Sequence, residues 1–264
     1  MSENDAAVQP GREAVPLAKA AEVLRRAQHA TAFTGAGISV ESGIPSFRGA
    51  DGLWSRYNPD CLDIGYFHRN TEEAWRVIRE IFYDFFGNAK PNDAHFALAA
   101  MERAGMLHAV ITQNIDNLHH DAGSGVVYEF HGNSRLLRCL QCNGTVPAAE
   151  CDLRILPPRC DCGGILKPDF VFFGEGIPEP AQTLSFREAE RADVMLLVGT
   201  TGEVYPAALI PREAKRRGAI IIEVNPEHSE YTSTVTDIFL QGKAAGILRE
   251  LAKLLGVWQR PEPA

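Results

Sequence analysis

The chain has 264 residues, 45% of them apolar and 23% charged, with a formal net charge of −8. This is an ordinary globular balance, long enough for one large domain and a smaller companion. The acidic balance argues against a primary role on nucleic acid and favours a basic ligand such as a lysine-bearing protein tail, and no stretch approaches the roughly 20 apolar residues of a membrane span.

The N-terminal segment is polar, carries no export pattern, and reads as a flexible tail over residues 1–14. A cytoplasmic, reducing location follows as the expectation, and there the six cysteines read as metal ligands or free thiols and not as disulfides. Apolar spacing (Leu17, Ala20, Ala21, Leu24) predicts a helix over 15–29, and a short apolar run predicts a strand over 30–33. Gly35, Ala36 and Gly37 follow at once. Glycines directly after a strand let the backbone turn sharply and approach a pyrophosphate. The third glycine of the usual dinucleotide fingerprint is replaced by Val40, and the next acidic residues sit in a Gly/Pro-broken segment and not at the end of a second strand, which disfavours an ordinary dehydrogenase.

Residues 49–59 read as irregular, and 71–86 as a helix capped at Thr71. A helix over 93–104 is entered by Pro91-Asn92 and closed by Gly105. A strand over 108–111 runs into Thr112-Gln113-Asn114-Ile115-Asp116, and one over 126–130 into His131-Gly132. Residues 133–167, rich in Cys, Pro and Arg, read as a small metal-stapled module. Beyond it come a strand over 170–173, a helix over 179–191, and a strand over 194–198 ending at Gly199-Thr200-Thr201. A helix over 206–217, a strand over 220–224 ending at Asn225, and a helix over 244–255 complete the chain. Strands alternating with helices predict an α/β protein with a doubly wound parallel sheet. Its large domain would comprise 15–49, 91–132 and 168–264. A small domain would be built from a helical insertion at 50–90 and the module at 133–167.

Cys139-x-x-Cys142 and Cys160-x-Cys162, each followed by turn-forming residues, fit a closed tetrahedral structural zinc site; the competing reading is four unrelated free thiols. Cys151, between the pairs, is expected to be a bystander. Ligands of open parallel sheets bind beyond the carboxyl ends of the strands. Gln113, Asn114, Asp116, His131, Gly199, Thr200, Thr201 and Asn225 should therefore converge with the glycine loop. His131 is the natural general base; its plainer reading is a hydrogen-bonded structural histidine. His119 is placed behind the site, with His95 and His120 structural or solvent-facing. Arg48 suits a phosphate clamp or a plain surface position, Phe47 a ring cover or core packing, and Trp54 and Trp75 small-domain packing.

Taken in order, these motifs resemble the sirtuin family of NAD-dependent protein lysine deacylases. The matching segments are Gly35 to Ser39 with Gly43 to Arg48, Thr112 to His119, His131-Gly132, the two cysteine pairs, Lys167 to Glu175, Gly199 to Pro206, and Val224-Asn225. The resemblance implies an inverted Rossmann-type domain with a smaller zinc-binding and helical domain, NAD and substrate meeting between them. It places Ala36, Gly37, Thr200 and Asn225 along the dinucleotide, with Gly35, Glu41, Phe47, Gly199 and Thr201 in the same set. Arg48 is implied at the phosphates or ribose, and Ser39 and Gln113 at ribose hydroxyls. Asp116 and the Ile115 backbone are implied at the nicotinamide amide, Asn114 at the ribose or a water, and Gly242, Lys243 and Ala244 near the adenine. The catalytic set is His131, Asn114 and Asp116. Val171, Phe172, Phe173, Gly174 and Glu175, with Glu203, Val204 and Tyr205, would pair with the substrate backbone as an added strand.

The family chemistry transfers the acyl group of lysine to ADP-ribose with release of nicotinamide, consuming NAD; no hydride moves. An apolar tunnel near Phe170 and Phe172 would select a neutral acylated side chain. Family members that remove acidic acyl groups carry a Tyr-x-x-Arg pair before the Pro-Asn segment. Here Tyr83 is followed three positions on by Phe86, so acetyl or other neutral acyl groups are expected, and the Phe-rich stretch suggests tolerance of longer apolar chains. Mono-ADP-ribosylation of protein, and a non-catalytic NAD-binding interaction module, are the alternatives. The expected partner is acylated lysine in proteins, without nucleic acid or membrane; oligomeric state stays open, a monomer included.

Overall fold

The computed structural model describes residues 14–46 and 52–259. Phe47, Arg48 and all but the last residue of the expected tail lie outside the described residues. Helix α1 (Ala14–Arg26) leads into strand β1 (Ala30–Thr34) and a 3-10 helix over Ala36–Ser42. Helices α2 (Ile64–Arg69) and α3 (Thr71–Ile78) follow, then a π-helical turn (Arg79–Phe85) and α4 (Asp93–Arg103). Strand β2 (Ala109–Thr112), the short α5 (Leu118–Asp121) and β3 (Val127–Glu129) precede β4 (Gly132–Cys139), β5 (Thr145–Pro147) and β6 (Leu166–Phe170). The chain closes through α6 (Ala181–Arg191), β7 (Val194–Val198), α7 (Leu209–Arg216), β8 (Ile220–Asn225), β9 (Ile238–Gln241) and α8 (Ala244–Leu255).

Among the described residues, six strands form one sheet in the order β3-β2-β1-β7-β8-β9, every neighbouring pair parallel. Numbered within the sheet, this is 3-2-1-4-5-6, the doubly wound dinucleotide-binding order, with its switch point between β1 and β7. The central strands are apolar at successive positions because both faces are covered. Ala32, Val110, Leu196 and Ile222 face the core built with α1, α4 and α8. Phe33, Ile111, Met195 and Ile221 face the opposite core, shared with Ile210, Ala214 and Tyr231.

A second, three-stranded antiparallel sheet (β5-β4-β6) carries the cysteines. It shares a core with the helical insertion, in which Phe67, Trp75, Phe82, Phe170 and Phe172 are buried. The Trp75 indole N–H donates to the Leu166 carbonyl at 2.9 Å, tying α3 to β6.

Several elements differ from the sequence expectation. The strand expected at 170–173 is β6, shifted toward the N-terminus and placed in the second sheet. It pairs only with β4, so Pro168 is tolerated as on any edge strand. The helix expected over 71–86 changes to π geometry at Arg79. Its N-cap position is Asn70, which makes no side-chain cap, while the Thr71 hydroxyl donates backward to the Phe67 carbonyl. Helix α7 starts at Leu209, three residues late. Strand β9 and helix α2 were not expected. Asn92 closes a capping box on α4: its side chain accepts from Ala94 N, and His95 Nδ1 accepts from Asn92 N.

The switch point is held by backbone contact. Gly35 N–H donates to Val198 O and Gly37 N–H to Gly199 O, at 3.0 and 2.9 Å. A Cβ on Gly37 would lie 2.6 Å from Gly199 Cα, and one on Gly199 2.3 Å from Ile38 N. Gly199 also has φ +62°, a conformation that L side chains rarely adopt. Gly199→Ala should therefore cost about 2–3 kcal/mol by overpacking and strain, read as a lower urea midpoint with an unchanged slope.

Candidate active site and thiol cluster

The polar residues that end β1, β2, β7 and β8, with His131 beyond β3, meet above the switch point. The Gln113 amide N–H donates to Thr200 Oγ1 at 3.0 Å. His131 Nδ1 lies 3.1 Å from the Gln113 carbonyl. A carbonyl only accepts, so Nδ1 carries the proton and Nε2 is left with its lone pair. Burial moves the His131 pKa below its usual value, opposed by the Gln113 bond, so the ring is neutral at pH 7.

Buried Ser39 donates to Asp116 Oδ2 at 2.6 Å, and Asn114 Nδ2 donates to Ser39 Oγ (3.1 Å) and Gly35 O (3.2 Å). Asp116 Oδ1 accepts from Leu118 N at 3.0 Å. Burial raises the Asp116 pKa, and the Ser39 bond works against the rise. Asp116 and Ile115 face a cavity of about 110 Å³ that is also lined by Phe82, Phe86, Gly87, Ala89, Asn117, Asp121 and Ser134. Asn225 Nδ2 donates to Thr200 O at 3.0 Å. Ala36 and Gly37 are half-buried beside this group, and Thr201 is exposed. Glu41 sits at the start of α8, its carboxylate accepting from Ala245 N at 2.7 Å, next to exposed Lys243 and buried Ala244.

Behind the site lies a buried polar chain. Thr34 Oγ1 contacts Thr112 Oγ1 and His119 Nε2, each at 2.9 Å, and the His119 ring packs 5.0 Å from that of His95. Burial pushes His95 to about 3 and His119 well below its usual value.

The expected substrate residues divide. The Phe173 amide and carbonyl are already bonded, to Leu62 O (2.7 Å) and Ile64 N (3.0 Å). Val171 N donates to His131 O and Phe172 N to Glu175 Oε2, both at 2.8 Å. Among the described residues, the Val171 carbonyl and the Gly174 amide have no such partner. Phe170 and Phe172 are sealed in the aromatic core, stacked with centroids 5.4 Å apart. They are not in the lining of the cavity beside Asp116, whose aromatic wall comes from Phe82 and Phe86. Glu175 also pairs with buried Lys167 at 3.0 Å, and the Lys167 ammonium lies 4.0 Å from the Phe172 ring centroid. Glu203, Val204 and Tyr205 lie after β7, with Glu203 and Tyr205 exposed. Tyr83, expected to lack a charge-clamp partner, has its hydroxyl buried without a hydrogen bond, and its ring packs against Trp75.

The four cysteine sulfurs Cys139, Cys142, Cys160 and Cys162 lie within 4.8 Å of one another. Cys139 to Cys162 is 3.5 Å and Cys142 to Cys160 is 3.7 Å. A tetrahedral zinc with bonds of about 2.3 Å would space its sulfurs about 3.8 Å apart, so the set fits a structural zinc ion. Gly164 makes room: a Cβ there would sit 2.6 Å from Cys139 Sγ. The backbone amides of Gln141 and Cys142 donate to Cys139 Sγ at 3.4 and 3.5 Å, which favours the thiolate, the form that binds metal. Cys151 lies outside the cluster, against the aromatic core.

A model of the Sir2 family matches residues 35–206. The chain belongs to the Sir2 family. An NAD-dependent protein deacylase 2 of Pyrobaculum aerophilum is 44% identical over 88% of this chain and 93% of its own length. The NAD-dependent protein deacylase of Pyrococcus furiosus is 44% identical over 90% and 97%. Among solved structures, a mutant Sir2 homologue in complex with ADP-ribose superposes with a TM-score of 0.86 at 41% identity, covering 90% of this chain and 96% of that one. A Sir2–p53 peptide–NAD+ structure gives 0.84 at 33% identity, covering 91% and 98%. No helix of this Sir2 chain among the described residues is long and apolar enough to cross a membrane.

Sequence reasoning missed the buried carboxylate of Glu223, whose signal is an acid inside the apolar strand β8; the Phe-rich stretch that it tied to the acyl chain contributes Phe82 and Phe86 to the cavity wall.

Two outcomes are expected. Cys142→Ser should abolish binding of one zinc per chain, read by native mass spectrometry, and lower the melting temperature by several degrees. Second, His95 and His119 have folded pKa values below the unfolded value of 6.5. Their neutral burial is fully tolerated above pH 6.5 and penalised as pH falls toward 3. Stability should drop by about 1.4 kcal/mol per pH unit per histidine below 6.5, seen in urea midpoints at pH 7.5 and 5.5.

Proposed function

We propose that this protein is an NAD-dependent protein-lysine deacylase acting on acetyl or other neutral acyl groups, with nicotinamide and O-acyl-ADP-ribose as products. The observation that carries the reading is the neutral, Nε2-basic tautomer of His131, held by Gln113 on the carboxyl edge of the sheet of a Sir2 chain. When bound, NAD supplies a ribose carbon bearing nicotinamide, which the acyl oxygen of the substrate displaces.

Each protein group has a task that its bonding leaves open. His131 Nε2 takes the proton of a ribose hydroxyl. Gln113 spends its N–H on Thr200 and keeps its amide oxygen for ribose hydroxyls. Ser39 and Asn114 hold Asp116 in one orientation, so its carboxylate and the Ile115 backbone face the carboxamide of nicotinamide. Gly35, Ala36, Gly37, Gly199, Thr200, Thr201 and Asn225 line the dinucleotide, and Glu41, Lys243 and Ala244 flank its adenine end. Arg48 and Phe47 keep their expected roles at the phosphates and over a ring. The Val171 carbonyl and Gly174 amide offer an extended chain two pairing groups beside Phe173, and Glu203, Val204 and Tyr205 keep their expected role on the same added strand. The aromatic wall of Phe82 and Phe86 favours a neutral acyl chain, since burying a charge there would go unpaired.

The substrate is acylated lysine in proteins. The division into a cofactor domain (15–49, 91–132 and the chain from 168 on) and a small domain (50–90, 133–167) is part of the same reading, with the boundary at 168 moved beyond Phe173, because β6, Phe170 and Phe172 belong to the small-domain sheet and core and Phe173 bonds Leu62. So is a cytoplasmic location, in keeping with four thiols gathered as a metal set.

His131→Ala should lower kcat/KM for NAD-dependent deacetylation of an acetyl-lysine peptide by about 10²–10⁴-fold. In the wild type, the acid limb of the kcat/KM profile should lie below pH 6.5, because the base must be neutral and its pKa is depressed. Adenine label from NAD appearing on protein, with no O-acyl-ADP-ribose, would replace this reading with mono-ADP-ribosylation.

A further inference from the structure

Glu223 lies in the middle of β8 with 0% of its surface exposed. Among the described residues no lysine or arginine pairs with it. Four neutral donors surround the carboxylate instead. Oε1 accepts from Asn225 Nδ2 (2.9 Å) and Ser229 Oγ (2.5 Å), and Oε2 from Thr232 Oγ1 (2.9 Å) and Thr236 Oγ1 (2.6 Å). Three of these come from the loop after β8, which packs on the loop after β7: Glu230 N–H donates to Thr201 O at 3.0 Å, and a Cβ on Gly202 would meet the Tyr231 ring at 2.9 Å.

We propose that Glu223 is a positioning residue that presents Asn225 to the cofactor as a hydrogen-bond acceptor only. The inference rests on the NAD-dependent reading above. The Thr200 carbonyl can only accept, and so can a carboxylate. The Asn225 atom that touches both must be Nδ2, with both of its hydrogens spent, one on each. Asn225 Oδ1 is then the only side-chain atom left for a ligand. Among the described residues it has no hydrogen-bond partner, and it is not among the atoms sealed from solvent. An acceptor fixed at a strand end beside the switch point suits a hydroxyl donor, as a ribose provides. The usual dinucleotide fold gives this task to an acidic side chain that touches the ribose directly. Here the acid stands one residue pair behind, and a neutral amide carries its polarity forward.

Without the negative charge the arrangement loses its direction. A glutamine at 223 could offer its own N–H₂ to Asn225, and the Asn225 amide could turn to present a donor where the hydroxyl also donates.

The test uses the full-length, zinc-loaded protein, with ADP-ribose binding measured by calorimetry and steady-state kinetics on an acetyl-lysine peptide. Glu223→Gln should weaken the ADP-ribose Kd and raise the NAD KM about tenfold, the worth of about one hydrogen bond. The peptide KM, and kcat at saturating NAD, should stay at wild-type values. Thr236→Val removes a loop donor but leaves the Asn225 bond, so it should lower the melting temperature without moving the Kd. If Glu223→Gln does not fold, Glu223→Asp, which keeps the charge but withdraws it by one methylene, should weaken ADP-ribose with the same kinetic split. An unchanged Kd in the Glu223 variant, or equal weakening by Thr236→Val, overturns the positioning role. A wild-type protein that fails to bind ADP-ribose overturns the NAD reading itself.

Discussion

The backbone contact between Gly37 and Gly199 is the constraint on which the site depends. Two strand ends that diverge in a doubly wound sheet normally leave a crevice between their loops. Here the loops after β1 and β7 close to hydrogen-bond distance, with no side chain between them. That closeness fixes where Gly35 O and the Thr200 backbone stand. Those two carbonyls in turn orient Asn114 and Asn225. The glycines serve the protein's own packing as much as a close approach by phosphate.

From that contact an arc of hydrogen bonds runs across the carboxyl edge of the sheet, from Glu223 to Asn225, Thr200, Gln113 and His131. The links from Asn225 and His131 end on a carboxylate or a carbonyl, which only accept, so the Asn225 amide orientation and the His131 tautomer follow without a ligand to set them; the Gln113 link ends on the Thr200 hydroxyl, which turns to suit. Preorganisation of this kind costs nothing at the moment of reaction. A second, shorter arc of Asn114 and Ser39 holds Asp116, one of two carboxylates on the cavity, the other being Asp121.

Much of this was legible in the sequence. Strand β7 is an uninterrupted apolar run, β1 is a short Ala/Thr/Phe run stopped by Gly35, and α8 lies between two glycines in unusual conformations, Gly242 at φ +155° and Gly256 at φ +77°, so their limits could be read closely. Gln113, Asn114, Asp116 and His131 stood out because polar residues at strand ends have few other uses. What escaped notice depends on distant partners. Strand β6 contains Lys167 and Pro168, poor strand formers, and exists because β4 pairs with it; the apolar run after it is a set of core aromatics and a loop. Strand β9 has four residues and needs β8 beside it. The donors to Glu223 are spread over the following 13 residues, with no periodicity to advertise them.

The shared aromatic core has a consequence for synthesis. Trp75 and the Leu166 carbonyl it binds are 91 residues apart, and the parallel sheet is interrupted between them. At roughly 5–20 residues per second, the helical insertion waits on the order of 5–18 s for the strand that completes its core. During that interval Phe67, Trp75 and Phe82 lack the cover of Leu166, Phe170 and Phe172. The nascent chain is therefore most exposed to aggregation and chaperone capture after the insertion emerges and before β6 does, well before any catalytic residue could act.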